Sequence, residues 1–414
     1  MPKRDGLERN PRFADAVATI RDVVLRPEVL WILLLAAFLS RAGLVAANYL
    51  DLTNNSGTDT ESYVLIARQL LDREEGYFRL RTPGYPIFLA LTGLDLRLAL
   101  LVQGLLGFAT CGLVYFGVRS QCGELAARLS LAFLAIDVTT ITYGNLLLSE
   151  TLFTCLLTVA LLLGATSRSR GSAVSCGVVL AAAAYVRPVG LLLAWLWPLV
   201  MAVAWKRPRR GLLVFATTGL LLLPWFVWQK QHYGEFQFSE ISRINLLLHN
   251  AAYVIADIED RALEDVQGEF YQLRAVPWED RAIAILLSHP FTYLKVVAQG
   301  VPITLLSPAW NAFRYMLPGL GQGLLFVAAA LACVFWLWLP FCVFSISRPL
   351  GLLALTTAAY LILIPGPQGR ARFRVPAAPA LAIAAGIGLA RKMENEAAGR
   401  GAGRETAVTR GPAK

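Results

Sequence analysis

Charge is scarce in this chain. Of 414 residues only 16% are Asp, Glu, Lys or Arg, while 56% are hydrophobic, against roughly 25% and 45–50% in an ordinary globular domain. Too little charge remains to coat a soluble fold, and so much apolar side chain excludes intrinsic disorder, which needs low hydrophobicity. Histidine is rarer still. His232, His249 and His289 are the only three and lie far apart in the chain, and with no C-x-x-C pair there is no zinc signature. Six cysteines are present, but Cys111, Cys155, Cys176, Cys333 and Cys342 sit inside apolar runs and Cys122 in a short connection. All six read as reduced core residues rather than a disulfide framework. No internal repeat of roughly 20–50 residues is found, and the two halves show no similarity. The net charge of +10 raises nucleic acid as a partner, yet the basic residues lie between apolar runs and not on one face, so none is expected.

Long apolar runs are what the chain does have. A bilayer core about 30 Å thick takes roughly 20 apolar residues per helix. Ten candidate spans stand out, at 29–50, 98–118, 125–144, 145–167, 172–186, 188–205, 211–228, 319–347, 349–366 and 371–390. Two shorter stretches, 83–94 and 291–306, are broken by Pro or Gly or carry a charge such as Lys295, and read as interfacial or re-entrant. The expected fold class is therefore an all-α polytopic membrane protein of about ten transmembrane helices, with amphipathic juxtamembrane helices on the outer face.

Orientation follows from the basic residues in the loops. With the N-terminus inside, the inner segments hold 21 of the 38 Lys and Arg but nine of the 28 acids, so both termini are expected in the cytoplasm, in an inner or plasma membrane. The first apolar run is of full spanning length and follows 28 polar-to-amphipathic residues, which reads as a signal anchor and not a cleavable signal peptide. The expected organisation is a cytoplasmic amphipathic leader at 1–28, in which Phe13, Val17, Ile20 and Val24 recur at helical spacing. A transmembrane module at 29–228 follows, with a first outer loop at 51–97. Then come a large outer loop at 229–318, C-terminal helices at 319–390 and a basic, disordered tail at 391–414.

Chemistry belongs in the outer regions. An amphipathic helix starts near Gly57-Thr58-Asp59-Thr60-Glu61-Ser62-Tyr63, and Thr58 with Glu61 has the spacing of a capping box. Asp59 then either complements the helix dipole or acts as general base toward a hydroxyl nucleophile. Downstream, Arg79 and Arg81 precede Thr82-Pro83-Gly84-Tyr85-Pro86, a rigid re-entry into the bilayer. Charges inside spans are functional candidates by default: Glu150 near the outer end of the fourth, Asp137 deeper in the third, Arg41 in the first, Arg187-Pro188 after the fifth, and Arg370, Arg372 and Arg374 at the entrance of the last. Acids and arginines at one membrane level suggest a pocket for a phosphate-bearing lipid, because Arg binds phosphate oxygens bidentately. In the large outer loop the acids read as a solvated face. Asn245, His249, Asn250 and Tyr253 are weak cleft-lining candidates, and Lys295 and Arg314 are better placed to contact a head group.

Taken together, Asp59 four residues before Tyr63, Tyr63-x-x-x-Ala67, Arg81-Thr82-Pro83-Gly84-Tyr85-Pro86, Ser149-Glu150-Thr151, Tyr185-Val186-Arg187-Pro188 and Arg372-Phe373-Arg374-Val375-Pro376 resemble the GT-C superfamily. The pattern is similar to glycosyltransferase family 39, which includes the protein O-mannosyltransferases and the lipid A aminoarabinose transferase. The resemblance implies transfer of a hexosyl or pentosyl group from a polyprenyl-phosphate donor to a hydroxyl of a lipid, glycan or protein acceptor at the outer face, with inversion. It makes Asp59 the catalytic base. The family often has Asp-Glu adjacent, whereas here Thr60 follows Asp59. Glu150 would orient donor or acceptor or tune Asp59. Tyr63, Arg81, Tyr85, Arg187, Lys295, Arg370, Arg372 and Arg374 are the substrate-binding candidates. Such arginines make a metal ion or other cofactor unnecessary, so metal-independent transfer is expected. The rival reading, a transporter or flippase of a lipid-linked substrate, predicts midplane sites and often repeats.

Overall fold

The computed structural model describes residues 11–409 except 51, 53–55, 58, 75–77, 167–168, 273–277, 308, 310–311, 313–326 and 328–336, and side chains only within 15–396. Thr58, Tyr77, Arg314 and Cys333, and the side chain of Phe13, lie outside the described residues. The other five cysteines are free thiols.

Among the described residues there is no strand. Helices α1 (Pro11–Val24), α2 (Pro27–Asn48), α3 (Thr60–Leu71), α4 (Gly84–Leu91), α5 (Leu96–Cys122), α6 (Glu124–Ile136), α7 (Val138–Tyr143), α8 (Glu150–Thr166), α9 (Arg170–Val186), α10 (Leu193–Val203) and α11 (Pro208–Tyr233) make the N-terminal part. The next segment holds α12 (Ile241–Leu246), a π-helical turn at Leu247–Ala251, α13 (Ala252–Glu259), α14 (Leu263–Gln272), α15 (Trp278–Ser288) and α16 (Pro290–Leu306). The chain ends in α17 (Pro349–Leu363), the short α18 (Ala371–Arg374) and α19 (Ala378–Thr409).

Among the described residues, four helices are long and apolar enough to cross a bilayer alone: Pro27–Asn48, Leu96–Cys122, Pro208–Tyr233 and Ala371–Glu396. Apolar helices Glu150–Thr166, Arg170–Val186, Pro188–Val203 and Pro349–Leu363 are shorter. The protein is an all-α polytopic membrane protein, as the composition requires. Several expected spans are interrupted. Residues 125–144 do not form one helix, because Asp137 adopts extended backbone and caps α7, accepting from Thr139 N at 3.4 Å and Thr140 N at 3.2 Å. The run 145–167 becomes helical only at Glu150. Most of 319–347 lies outside the described residues, and its end is a 3₁₀ turn at Leu339–Ser345. α4 has 8 residues, too few to span. α15 and α16 meet at 97° around His289, a bent pair where the sequence suggests re-entry. The last helix runs on to Thr409, past the boundary expected at 390.

α19 lies at the centre of the main core, packed on α6, on the Leu339–Ser345 turn and on α17. Its alternation of Ala with Ile and Leu buries almost every residue from Ala378 to Ala390 and lets helices approach closely. A Cβ on Gly386 would stand 2.6 Å from Ser130 N of α6. The segment from α12 to α15 has its own small core of Leu247, Ala251, Ala252, Val266, Phe270 and Ala282.

Candidate active site

The site forms where the loop before α3, the strap before α4, the start of α8, the end of α9 and α18 converge. Thr60 is buried and fixes the first of these: its Oγ1 accepts from Gly57 N at 2.8 Å and donates to the Leu147 carbonyl at 2.9 Å. Asp59 stands at the N-cap of α3 yet makes no side-chain cap. Its carboxylate faces two guanidinium groups instead, Arg81 Nη2 at 2.6 Å on Oδ1 and Arg372 Nη2 at 2.6 Å on Oδ2.

Arg81 is placed by the strap 78–82, held along its length. Phe78 N donates to Tyr233 Oη at 3.1 Å, Gln229 Nε2 to the Phe78 carbonyl at 3.0 Å, and Ser239 Oγ to the Leu80 carbonyl at 2.7 Å. Thr82 Oγ1 donates to the Val186 carbonyl at 3.3 Å, and Gly84 meets the same backbone so closely that a Cβ would sit 2.7 Å from Tyr185 O. Only glycine fits there. Arg187, the next residue, has extended backbone because Pro188 follows it. Its Nη1 reaches Glu150 Oε1 at 2.7 Å and Ser149 Oγ at 3.0 Å. Arg372 Nε also donates to Glu150 Oε1.

These contacts form one alternating string, Arg81, Asp59, Arg372, Glu150, Arg187: three cations and two anions, hence a net charge of +1. Glu150 is fully buried, at the first turn of α8 where the helix dipole favours a carboxylate, and its Oε2 has no hydrogen-bond partner among the described residues. Asp59 and the three arginines are partly exposed, with 13–21% of each side chain accessible. Burial works against ionising Asp59, but the adjacent Arg372 and Arg81 charges overcome it and hold its carboxyl down at about 2.

Tyr63 and Tyr85 form the floor. Their rings are 4.8 Å apart edge to face, the Arg81 guanidinium lies 5.0 Å over Tyr63, and Tyr63 Oη is 3.2 Å from Ser149 Oγ. Tyr85 is buried and donates to Gln103 Oε1 at 2.5 Å, while Gln103 Nε2 donates to the Leu146 carbonyl at 2.7 Å. Tyr85 therefore positions neighbours and offers no free hydroxyl.

Three expected site residues lie apart from the string. Arg374 follows Arg372 by two positions, roughly 200° around a helix at 100° per residue, and faces the other way. It is 1% exposed and bound to Asp137 at 3.3 Å, to Thr139 and to the Leu305 carbonyl. Lys295 is exposed on α16 and pairs with Asp257 at 2.8 Å. Arg370 is exposed and makes no ion pair among the described residues. Its charge acts on His249, whose imidazole is held below its usual range first by burial and then by Arg370. Glu61 is exposed and outside the string.

Sequence reasoning gave no role to Ser62, Ser149 or Gln103. Ser62 Oγ accepts from Arg81 Nε at 3.1 Å and donates to the Asp59 carbonyl at 2.7 Å, one helical turn away. The Asp59-to-Ser62 spacing carried that signal; nothing local marked Gln103.

No family model and no curated protein matches this chain in sequence. Solved structures do match in fold. The archaeal oligosaccharyltransferase AglB from Archaeoglobus fulgidus, in complex with an inhibitory peptide and a dolichol-phosphate, superposes with a TM-score of 0.52 at 14% identity, over 94% of this chain and 52% of that one. The Archaeoglobus fulgidus oligosaccharyltransferase in its apo form gives 0.54 at 17% identity, over 94% and 52%. This chain thus spans about half the length of those proteins. ArnT from Cupriavidus metallidurans, bound to undecaprenyl phosphate, gives 0.41 at 16% identity over 88% and 78%. The chain shares the fold of these oligosaccharyltransferases.

Proposed function

We propose that the protein is a membrane glycosyltransferase that moves a sugar from a polyprenyl-phosphate donor to an acceptor hydroxyl at the outer membrane face, with inversion. One observation carries the reading. Asp59, the acid that the family resemblance makes the base, shares Arg372 with Glu150, and the string they form has a net positive charge beside an accessible surface.

A carboxylate pinned between two guanidinium groups at about 2 is a weak base. The donor relieves this. Its phosphate supplies new anionic oxygens to Arg372 and Arg81, the arginines shift toward them, and Asp59 loses the charges that depress it. The acceptor oxygen then attacks the anomeric carbon, the bond from that carbon to the phosphate oxygen breaks, and the electron pair leaves with the polyprenyl phosphate. Asp59 takes the acceptor proton. Arg372, Arg81 and Arg187 stabilise the charge that grows on the phosphate, in a site where preorganised cations are most effective. Glu150 fixes Arg372 and Arg187 in place. Arg370, the exposed unpaired cation two residues before Arg372, guides the donor head group inward. Arg374 and Lys295 have no part in transfer.

The arginine string supplies positive charge where the leaving phosphate would need it, and metal-independent transfer is part of the proposal. Membranes carrying the protein, incubated with a panel of polyprenyl-phosphate sugars, are expected to release polyprenyl phosphate from at least one. Release from none, with acceptor-containing membranes of the native host, contradicts the reading.

A further inference from the structure

Behind the string lies a second group of buried charges. Arg41 of α2 is 4% exposed and has no carboxylate within ion-pair distance among the described residues. Its Nη1 donates to the Ala37 carbonyl at 3.1 Å and its Nη2 to the Leu134 carbonyl at 3.0 Å, with Thr140 Oγ1 at 3.5 Å. The nearby Asp137 caps α7 and is committed to Arg374. Two buried arginines thus face one acid, leaving a charge of +1 in the bundle interior. An uncompensated buried charge is costly, several kcal/mol after relaxation.

A cavity of about 20 Å³ opens against Arg41, lined also by Gly107, Thr110, Thr140, Thr151 and Thr154. A space of roughly 10–15 Å³ by this measure holds one water-sized particle. Two donors on its wall are unused. Among the described residues the hydrogen bonds of Arg41 all run from Nη1 and Nη2, leaving Nε, next to Gly107, without an acceptor, and Thr151 Oγ1 is buried with no partner. The other threonines differ: Thr110, Thr140 and Thr154 each donate to a main-chain carbonyl one turn back.

We propose that this cavity binds a monovalent anion of halide size, held by Arg41 Nε and the Thr151 hydroxyl. The two free donors supply its hydrogen bonds, and its charge cancels the excess of Arg41 and Arg374 over Asp137. Thr151 adjoins Glu150 at the start of α8, so the anion braces the helix end that carries the central acid of the string. The site is independent of sugar transfer and stands whether or not that reading holds.

The test is thermal unfolding of the purified protein in detergent, in chloride, bromide or gluconate at constant ionic strength. Chloride and bromide are expected to raise Tm saturably, by about 1–2 °C for a chain of this length, while gluconate does not. Thr151→Val replaces the free hydroxyl with a methyl of equal size and is expected to fold and lose most of the halide shift. Arg41→Gln is expected to lose all of it. Should Arg41→Gln fail to fold, Thr151→Val decides together with crystals grown in bromide, in which an anomalous peak belongs between Arg41 and Thr151. Equal Tm in chloride and gluconate, a full halide shift in Thr151→Val, or water alone at that position would overturn the proposal.

Discussion

At the residue scale the decisive feature is how each charge is shared. Asp59 gives one oxygen to each of two arginines, and its depressed carboxyl has a consequence for stability. A group lowered to about 2 from 3.8 on folding contributes stability that is present above the unfolded value and is lost as pH falls through the folded one. Between roughly pH 4 and 2 the protein is expected to lose stability of order 2 kcal/mol that Asp59→Asn does not lose, as read by Tm against pH; parallel curves for both would refute the ion-pair assignment. Glu150 is the buried hinge between Arg372 and Arg187. Glu150→Gln leaves Arg187 without a carboxylate and Arg372 with Asp59 alone, and is expected to destabilise by about 2–3 kcal/mol, a loss visible as a lower denaturation midpoint. Lys295→Ala removes only an exposed pair with Asp257 and is expected to leave transfer within a factor of two, within the small range of surface pairs.

At the scale of elements, backbone contacts and not side-chain patterns set the site. Gly84 meets the backbone at Tyr185 and Val186, so Arg81 and Arg187 are registered by one tight crossing. Gly84→Val is expected to lower Tm and transfer together, whereas Gly43→Ala in α2, where nothing lies within 4 Å of the added Cβ, is expected to be neutral or mildly stabilising. A Gly84→Val protein with unchanged Tm and rate would show that the crossing is not needed. This also explains what could be read from sequence. The apolar runs predicted an all-α membrane fold, because no soluble arrangement hides so much apolar surface, and the S-E-T and Arg-Pro segments carried Glu150 and Arg187. The break at Asp137 was hidden inside an apolar run: a capping aspartate in a buried turn has no signature in hydropathy. The opposite fates of Arg372 and Arg374 were also hidden, because they depend on the rotation of α18, which tertiary packing fixes. Gln103 serves through two main-chain carbonyl and hydroxyl partners from elsewhere in the chain, and no local spacing could announce it.

At the scale of the whole molecule, the bundle brings Asp59, just before α3, to Arg372, more than three hundred residues later, while α13 to α15 and the π-helical turn before them share a small core of their own. The acid and the cations come from elements far apart in the chain, so their meeting is a property of the fold. With charge supplied by arginines, transfer is expected to survive chelation by EDTA with less than a twofold change; loss of activity restored by a divalent cation would overturn that part of the proposal. The central claim is that Asp59 accepts the acceptor proton once the donor phosphate draws Arg372 and Arg81 away. It is tested most directly by comparing Asp59→Asn with the unmodified protein for donor binding and for release of polyprenyl phosphate. The account predicts a folded variant that still binds donor and turns over at least about 10²-fold more slowly. Turnover near that of the unmodified protein would contradict it.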